Sequence, residues 1–284
     1  GGSGHEPLFL EFVGKGMADA AAAGAVFTSP GPDLILEATR QVHGGAGVVY
    51  IFGNYAGDNM NFDLAAELAA AEGIETRIVR VWDDIASAPP ERYDDRRGTA
   101  ADLFVIKIAG AAAERGMNLD EVHRLACKTR DRCRSLGVAL SSCTLPGMKK
   151  SIFEIGDDEM MVGMGLHGEP GMERRNLLSA DEAAQVMLEP LLKELDLKGG
   201  DEVALLVNGY GSTTRLELNI MARAAAFILK ERGIALYDGV VGNFCTSLEM
   251  AGCSFTLLHL DEELKDLWDD PAWSSGFSKP DTHQ

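Results

Sequence analysis

Gly47-Val48-Val49-Tyr50-Ile51-Phe52 is a short apolar run bounded by glycine, and it empties into Gly53-Asn54-Tyr55-Ala56-Gly57-Asp58. A run of that length reads as a buried strand, and the glycine-bearing stretch after it as a loop. From Asn61 to Glu72 the positions Phe62, Leu64, Ala65, Leu68 and Ala69 repeat at helical spacing, and Gly73 stops the helix. Thr76 to Trp82 returns as a β-branched strand. Strand, loop, helix, strand predicts two parallel strands joined by a crossover helix. In sheets of that kind ligands sit beyond the carboxyl ends of the strands, which is where Asp58 falls.

The same alternation extends in both directions. Pro32 to Val42, Ala101 to Arg115 and Leu119 to Arg134 read as further helices, the first with proline in its opening turn. Beyond Gly137, strands are expected at 159–164, 202–207 and 254–259. Helices are expected at 180–195 and 216–232, with a short amphipathic one at 261–268. The pattern predicts two α/β domains, 1–134 and 135–284. The first should be a three-layer, mainly parallel sheet with helices on both faces, the second a mixed sheet packed with helices.

Composition narrows the function classes. The net charge of −18 and the lack of any Lys/Arg run disfavour nucleic acid as a partner. Nothing approaches the length of a membrane span, and no secretory signal opens the chain. Five cysteines, an odd number with no C-x-x-C pair, fit reduced thiols in a cytoplasm better than a disulfide framework. No Cys/His cluster has zinc-ligand spacing, so no metal is expected. The chain lacks an initiator Met and begins inside a glycine turn. Turns of that kind usually follow a strand, so a truncated N-terminus is expected.

Two of the six histidines lie in glycine-rich turns, Gly1-Gly2-Ser3-Gly4-His5-Glu6-Pro7 and Gly163-Met164-Gly165-Leu166-His167-Gly168-Glu169-Pro170-Gly171. Glycine lets a backbone approach a ligand closely, so an imidazole in such a turn is offered to something small. Asp58 suits a general base, and a histidine beside it can share or relay the proton. The second imidazole can act as a nucleophile toward an activated carbonyl. Ser29, in Thr28-Ser29-Pro30-Gly31-Pro32, is either a helix cap or a ligand contact. Asn208 to Thr214, between a strand and a helix, resembles a phosphate-cradling loop, but it lacks the lysine of a Walker A motif and the spacing of a dinucleotide fingerprint.

Taken in order, GGSGHEP (1–7), VGKGM (13–17), VFTSP (26–30), NYAGDNMNF (54–62), RRGTA (96–100), IAGAAAE (108–114), MGLHGEPG (164–171) and CTSLEMAG (245–252) resemble the K subunit of dihydroxyacetone kinase across essentially the whole chain. The resemblance implies a homodimeric two-domain α/β subunit that binds a short ketose. It implies that His167 forms a covalent hemiaminal with the ketose carbonyl, and that Asp58 and His5 are acid/base partners of the hydroxyl to be phosphorylated. Gly2 and Ser29 match substrate contacts, with Ser3 and Gly4 in the same turn as Gly2. ATP with Mg²⁺, or a phosphotransferase-system donor, is expected on a separate L-type subunit, with no cofactor in this chain. Two departures stand out: Gly53 replaces a lysine that commonly contacts substrate, and Gly209-Tyr210 replaces a more usual Asn-Leu or Gly-Leu pair. Both direct attention to a four-carbon ketose such as erythrulose beside dihydroxyacetone. The rival from another class is a non-catalytic ketose sensor or co-activator, which would need His167 but not the acid/base pair.

Overall fold

The computed structural model describes residues 1–281; the last three residues of the expected second domain lie outside the described residues. The chain is mixed α/β and divides into two compact units. One comprises Gly1–Val81, Asp102–Asp131 and the described residues from Glu262 onward; the other comprises Trp82–Ala101 and Arg132–Asp261.

The first unit opens with short strands β1 (Gly2–Ser3), β2 (Gly14–Lys15) and β3 (Gly24–Val26). There follow α1 (Pro32–Val42), β4 (Val48–Gly53), α2 (Ala56–Ala71), β5 (Thr76–Val81), α3 (Asp102–Glu114) and α4 (Leu119–Asp131). β4 and β5 pair in parallel from Val48↔Thr76 to Gly53↔Val81, and β1 pairs in parallel with β3. Among the described residues these pairs are not hydrogen-bonded into one sheet, which differs from the single sheet expected. A cavity of about 430 Å³ is lined by residues of β4, α1, α3 and the stretch from Met17 to Ala22. Phe62 of α2 stacks on Phe52 of β4 at 4.2 Å between ring centroids and meets Tyr50 edge-on, so helix and strand share one apolar seam.

The helix begins earlier than its apolar spacing implies. Residues 56–58, expected as loop, form the first turn of α2, with Tyr55 as its extended N-cap. Ala56, Gly57 and Asp58 carry no apolar stripe, so periodicity does not mark them. A carboxylate is nonetheless well placed among the unsatisfied N–H groups of a helix start.

The second unit is built on a six-stranded sheet. Its elements are β6 (Cys133–Ala139), β7 (Glu159–Val162), β8 (Glu173–Asn176), α5 (Ala180–Glu194), β9 (Glu202–Gly209), α6 (Arg215–Glu231), β10 (Ala235–Gly242) and β11 (Gly252–His259), in the spatial order β10-β9-β11-β6-β7-β8. β10 and β9 are parallel, and the other pairings are antiparallel. Helices α5 and α6 start with reciprocal capping boxes, Ser179 with Glu182 and Thr214 with Glu217. Met187, Leu188 and Leu191 of α5 and Leu218 and Leu229 of α6 join Leu136, Val203, Val207 and Phe255 of the sheet in one core.

The grouping of residues differs from a single cut at 134/135, and specific contacts explain it. Residues 82–101 go with the second unit because the buried carboxylate of Asp83 accepts from Thr99 N and Oγ1 at 2.7 Å, from Ala101 N at 3.2 Å, and from Ser135 Oγ of β6. The segment from Glu262 goes with the first unit. There α7 (Glu262–Trp268) lays Trp268 against Phe104 of α3, and buried Lys107 of α3 donates from Nζ to Leu267 O at 2.8 Å. The tail then adds β12 (Ala272–Ser274) and β13 (Ser278–Lys279), with β12 pairing to both β2 and β13. The helix expected to run to Arg134 stops at Asp131, because Arg132 O accepts from His259 N at 3.0 Å and the chain has already joined the ladder with β11.

Candidate functional site

In the first unit, the opening glycine turn and the start of α2 are neighbours: Gly1 N lies 3.8 Å from Asp58 Oδ1. A Cβ on Gly2 would strike the backbone of Phe27 and Thr28, so only glycine permits β1 to lie against that segment. Ser3 Oγ donates to Gly24 O at 2.8 Å, and Gly4 N donates to the Glu6 carboxylate at 3.0 Å. His5 is buried, its ring stacked on Phe27 with centroids 4.8 Å apart and planes within 7°. Phe27 itself adopts φ +56°, a strained conformation for a non-glycine residue, at the turn between β3 and Ser29.

Ser29 faces α2. Asn61 Nδ2 donates to Ser29 Oγ at 3.2 Å and to Pro30 O at 2.8 Å, and a Cβ on Gly57 would come within 3.4 Å of Ser29 Cβ. Gly57 therefore lies beside Ser29, on the helix turn that carries Asp58. Ser29 does not cap α1, whose N-cap is Gly31. Gly53 ends β4 and is buried. Just beyond it Asn54 Oδ1 accepts from Asn59 Nδ2 at 2.8 Å, and Asn59 Oδ1 accepts from Arg80 Nε at 2.9 Å. This chain of polar contacts fixes the first turn of α2, and so Asp58, against β5.

His167 belongs to the second unit, in the turn after β7. Glu169 grips it at two points: Oε2 accepts from His167 N at 2.9 Å, and Oε1 lies 3.0 Å from ring Nδ1. Burial disfavours the Glu169 anion, but the hydrogen bond and charge of His167, backbone donation and the Arg97 guanidinium outweigh it and hold the carboxyl at about 2. An ionised carboxylate only accepts hydrogen bonds, so the proton of a neutral imidazole must sit on Nδ1. Nε2 then keeps its lone pair, the form in which imidazole is a nucleophile. Glu169 stands two residues after the histidine, inside a motif visible in the sequence, but spacing alone does not show that it turns back on the ring.

The loop at 208–214 is not a vacant phosphate cradle. Asn208 is fully buried and holds the backbone of Phe244 and Cys245, while the Glu217 carboxylate accepts from Thr214 N at the start of α6, where an anion would otherwise bind. Tyr210 fills the space beside Gly137, and its phenol is pushed up by burial. All five cysteines are free, and burial pushes the Cys253 thiol up to about 12. Among the described residues no group of three His, Cys, Asp or Glu side chains could hold a metal, and no helix is long and apolar enough to cross a membrane.

The chain belongs to the family defined by the Dak1 domain, whose model matches residues 1–276. Among its relatives is the dihydroxyacetone-binding subunit DhaK of the PTS-dependent dihydroxyacetone kinase 2 of Listeria innocua. The two are 49% identical over 271 residues, covering 95% of this chain and 81% of the relative. The L-erythrulose 1-kinase of Mycolicibacterium smegmatis is 43% identical over 283 residues, which span 98% of this chain and 50% of that protein. Among solved structures, the dihydroxyacetone kinase operon co-activator Dha-DhaQ superposes with a TM-score of 0.91 at 35% identity, covering 98% of this chain and 85% of that one.

Proposed function

We propose that this chain is the ketose-binding subunit of a dihydroxyacetone-type kinase. His167 captures the carbonyl of a short ketose as a hemiaminal. Asp58 takes the proton from the terminal hydroxyl as it attacks phosphorus, with His5 sharing that proton, and Gly2, Ser3, Gly4, Ser29 and Gly53 line the substrate. The observation that carries the reading is the two-point hold of Glu169 on His167, which turns ring Nδ1 to the carboxylate and leaves Nε2 as the nitrogen available to a carbonyl. Phosphoryl transfer asks mainly for positioning, and a small polyol offers little surface to grip, so a reversible covalent bond supplies the orientation. Glycerol, with no carbonyl, is refused on chemical grounds.

An L-type subunit brings the phosphoryl donor, ATP with Mg²⁺ or a phosphotransferase-system protein, and the K subunit works as a cytoplasmic homodimer. The fold reading follows the same family: the parallel pairs β1–β3 and β4–β5 are parts of one three-layer arrangement, and the second unit is the mixed-sheet domain. Support for the first of these comes from the helices gathered about β4: Tyr50 and Phe52 meet Phe62 of α2, and the cavity beside the strand is lined by Val49, Tyr50, Ile51 and Phe62 together with Ile106 of α3 and Val122 of α4.

The test is turnover on addition of an L-type subunit and its donor, across three- to five-carbon ketoses. The isolated chain with ATP should be inert. Gly53 stands where the family commonly carries a substrate-contacting lysine, so erythrulose should match or exceed dihydroxyacetone in kcat/KM, and Gly53→Lys should move preference toward the three-carbon substrate. A clear preference of the unaltered chain for dihydroxyacetone would end the longer-ketose reading. The second reading, a ketose-responsive co-activator, draws on the likeness to Dha-DhaQ. It predicts adduct formation with no turnover for any donor.

A further inference from the structure

The His167–Glu169 pair is held from behind by a partly buried arginine. Arg97 donates from Nε to Asp84 Oδ2 at 3.0 Å, and from Nη2 to Gly163 O at 3.2 Å, with Nη2 also 2.8 Å from Asp84 Oδ2. Its remaining arm, Nη1, stands 3.8 Å from Glu169 Oε2. That is too long for a hydrogen bond but close for a charge, and the arginine side chain is only 12% exposed, so water screens it little. Asp84 is anchored in turn: its Oδ1 accepts from Ala86 N at 3.0 Å, and its own N–H donates to Arg97 O at 3.1 Å. The backbone between the arginine and the glutamate makes room for them. A Cβ on Gly165 would collide with both Arg97 Nη1 and Glu169 Oε2, so the turn carries glycine where the two side chains meet.

We propose that Arg97, braced by Asp84, is a positioning residue that acts through Glu169 to set the tautomer and nucleophilicity of His167. This rests on the carbonyl-capture reading above. In the capture step Nε2 donates its lone pair to the carbonyl carbon, an N–C bond forms, and the C=O π electrons move to oxygen. The ring becomes imidazolium and the oxygen alkoxide. The alkoxide takes a proton from solvent, and the imidazolium of the resulting hemiaminal keeps its Nδ1 proton against Glu169, so the step is balanced without oxidant or other co-reactant. Glu169 accepts from Nδ1–H as positive charge develops on the ring, and must be anionic and correctly aimed throughout. Arg97 supplies both conditions without occupying Oε1, the oxygen that the imidazole uses.

The experiment compares wild-type protein with Arg97→Gln and Arg97→Lys on two readouts. One is ¹⁵N NMR of the His167 ring, which reports the tautomer without any ketose. The other is the rate of adduct formation with dihydroxyacetone and erythrulose by intact mass, set beside non-covalent binding. Arg97→Gln should populate the Nε2–H tautomer and slow capture by about tenfold to a hundredfold while non-covalent binding changes little. Arg97→Lys, whose single ammonium cannot hold Asp84, Gly163 O and Glu169 together, should show the same changes to a smaller degree; it decides the matter if the Gln variant fails to fold. Wild-type tautomer and wild-type rate in the folded variants would overturn the proposal. If wild type itself forms no adduct, the capture reading fails, while the tautomer comparison still decides the role of Arg97.

Discussion

Glu169 and His167 are joined twice within one turn of chain, through the backbone N–H of the histidine at 2.9 Å and its ring Nδ1 at 3.0 Å. One carboxylate thereby sets both where the ring stands and which nitrogen faces outward. Glu169→Gln preserves shape but removes the charge, and its amide can present NH₂ to Nδ1, reversing the tautomer. Adduct formation should slow by about tenfold to a hundredfold. An unchanged rate, followed by mass spectrometry, would mean that the ring takes its orientation from elsewhere.

Gly165→Ala tests the same arrangement from the backbone. The added methyl group would displace Arg97 and Glu169 together, so capture should fall at least as far as in Glu169→Gln. Gly44→Ala is the control, since a Cβ there meets nothing within 4 Å, and it should capture ketose like the wild type. Equal rates in the two variants would remove Gly165 from the account.

Asp58→Asn keeps the first turn of α2 and removes a proton acceptor. Turnover with the donor subunit should drop by roughly two to four orders of magnitude, and ketose capture by His167 should survive. Full activity in this variant would move the base to another group, with His5 the next to test.

Asp84 gives a signed pH dependence. Burial pushes its carboxyl up from 3.8 to about 6, against the pull of Arg97 and the Ala86 N–H and with a push from Asp83. A carboxyl whose folded pKa is raised favours folding at low pH and loses that advantage as pH climbs from about 4 to about 6. Urea denaturation across this window should therefore show wild type losing stability relative to Asp84→Asn, with the difference constant above it. A difference that stays flat across the same window would mean that pairing with Arg97 already outweighs burial.

The fold is legible in the sequence where side chains repeat. Pro32 to Val42 is the helix its spacing predicts, and Val48 to Gly53 with Thr76 to Val81 is the parallel pair expected from the opening motif. Edge strands leave no such mark because they face water. β8 is Glu-Arg-Arg-Asn, and β10 is mostly exposed along Ala235 to Gly239, so neither shows a buried alternation. Helical spacing carries α4 too far because pairing with β11, a contact far away in sequence, claims Cys133 and Arg134 for a strand. Of the candidate site, the glycine turns point to His5 and His167. Glu169, Arg97 and Asp84 stay hidden, since their significance lies in which charge meets which after the chain has folded, and no local spacing records that.

The central claim is that His167 bonds covalently to a ketose carbonyl. Incubation of the chain with dihydroxyacetone or erythrulose, followed by intact-mass analysis and peptide mapping, tests it directly. The account predicts a gain equal to the whole ketose, with no water lost, localised to His167 and absent from His167→Ala and from samples given glycerol. A ketose that binds without any gain in mass, or an adduct that persists in His167→Ala, would contradict it.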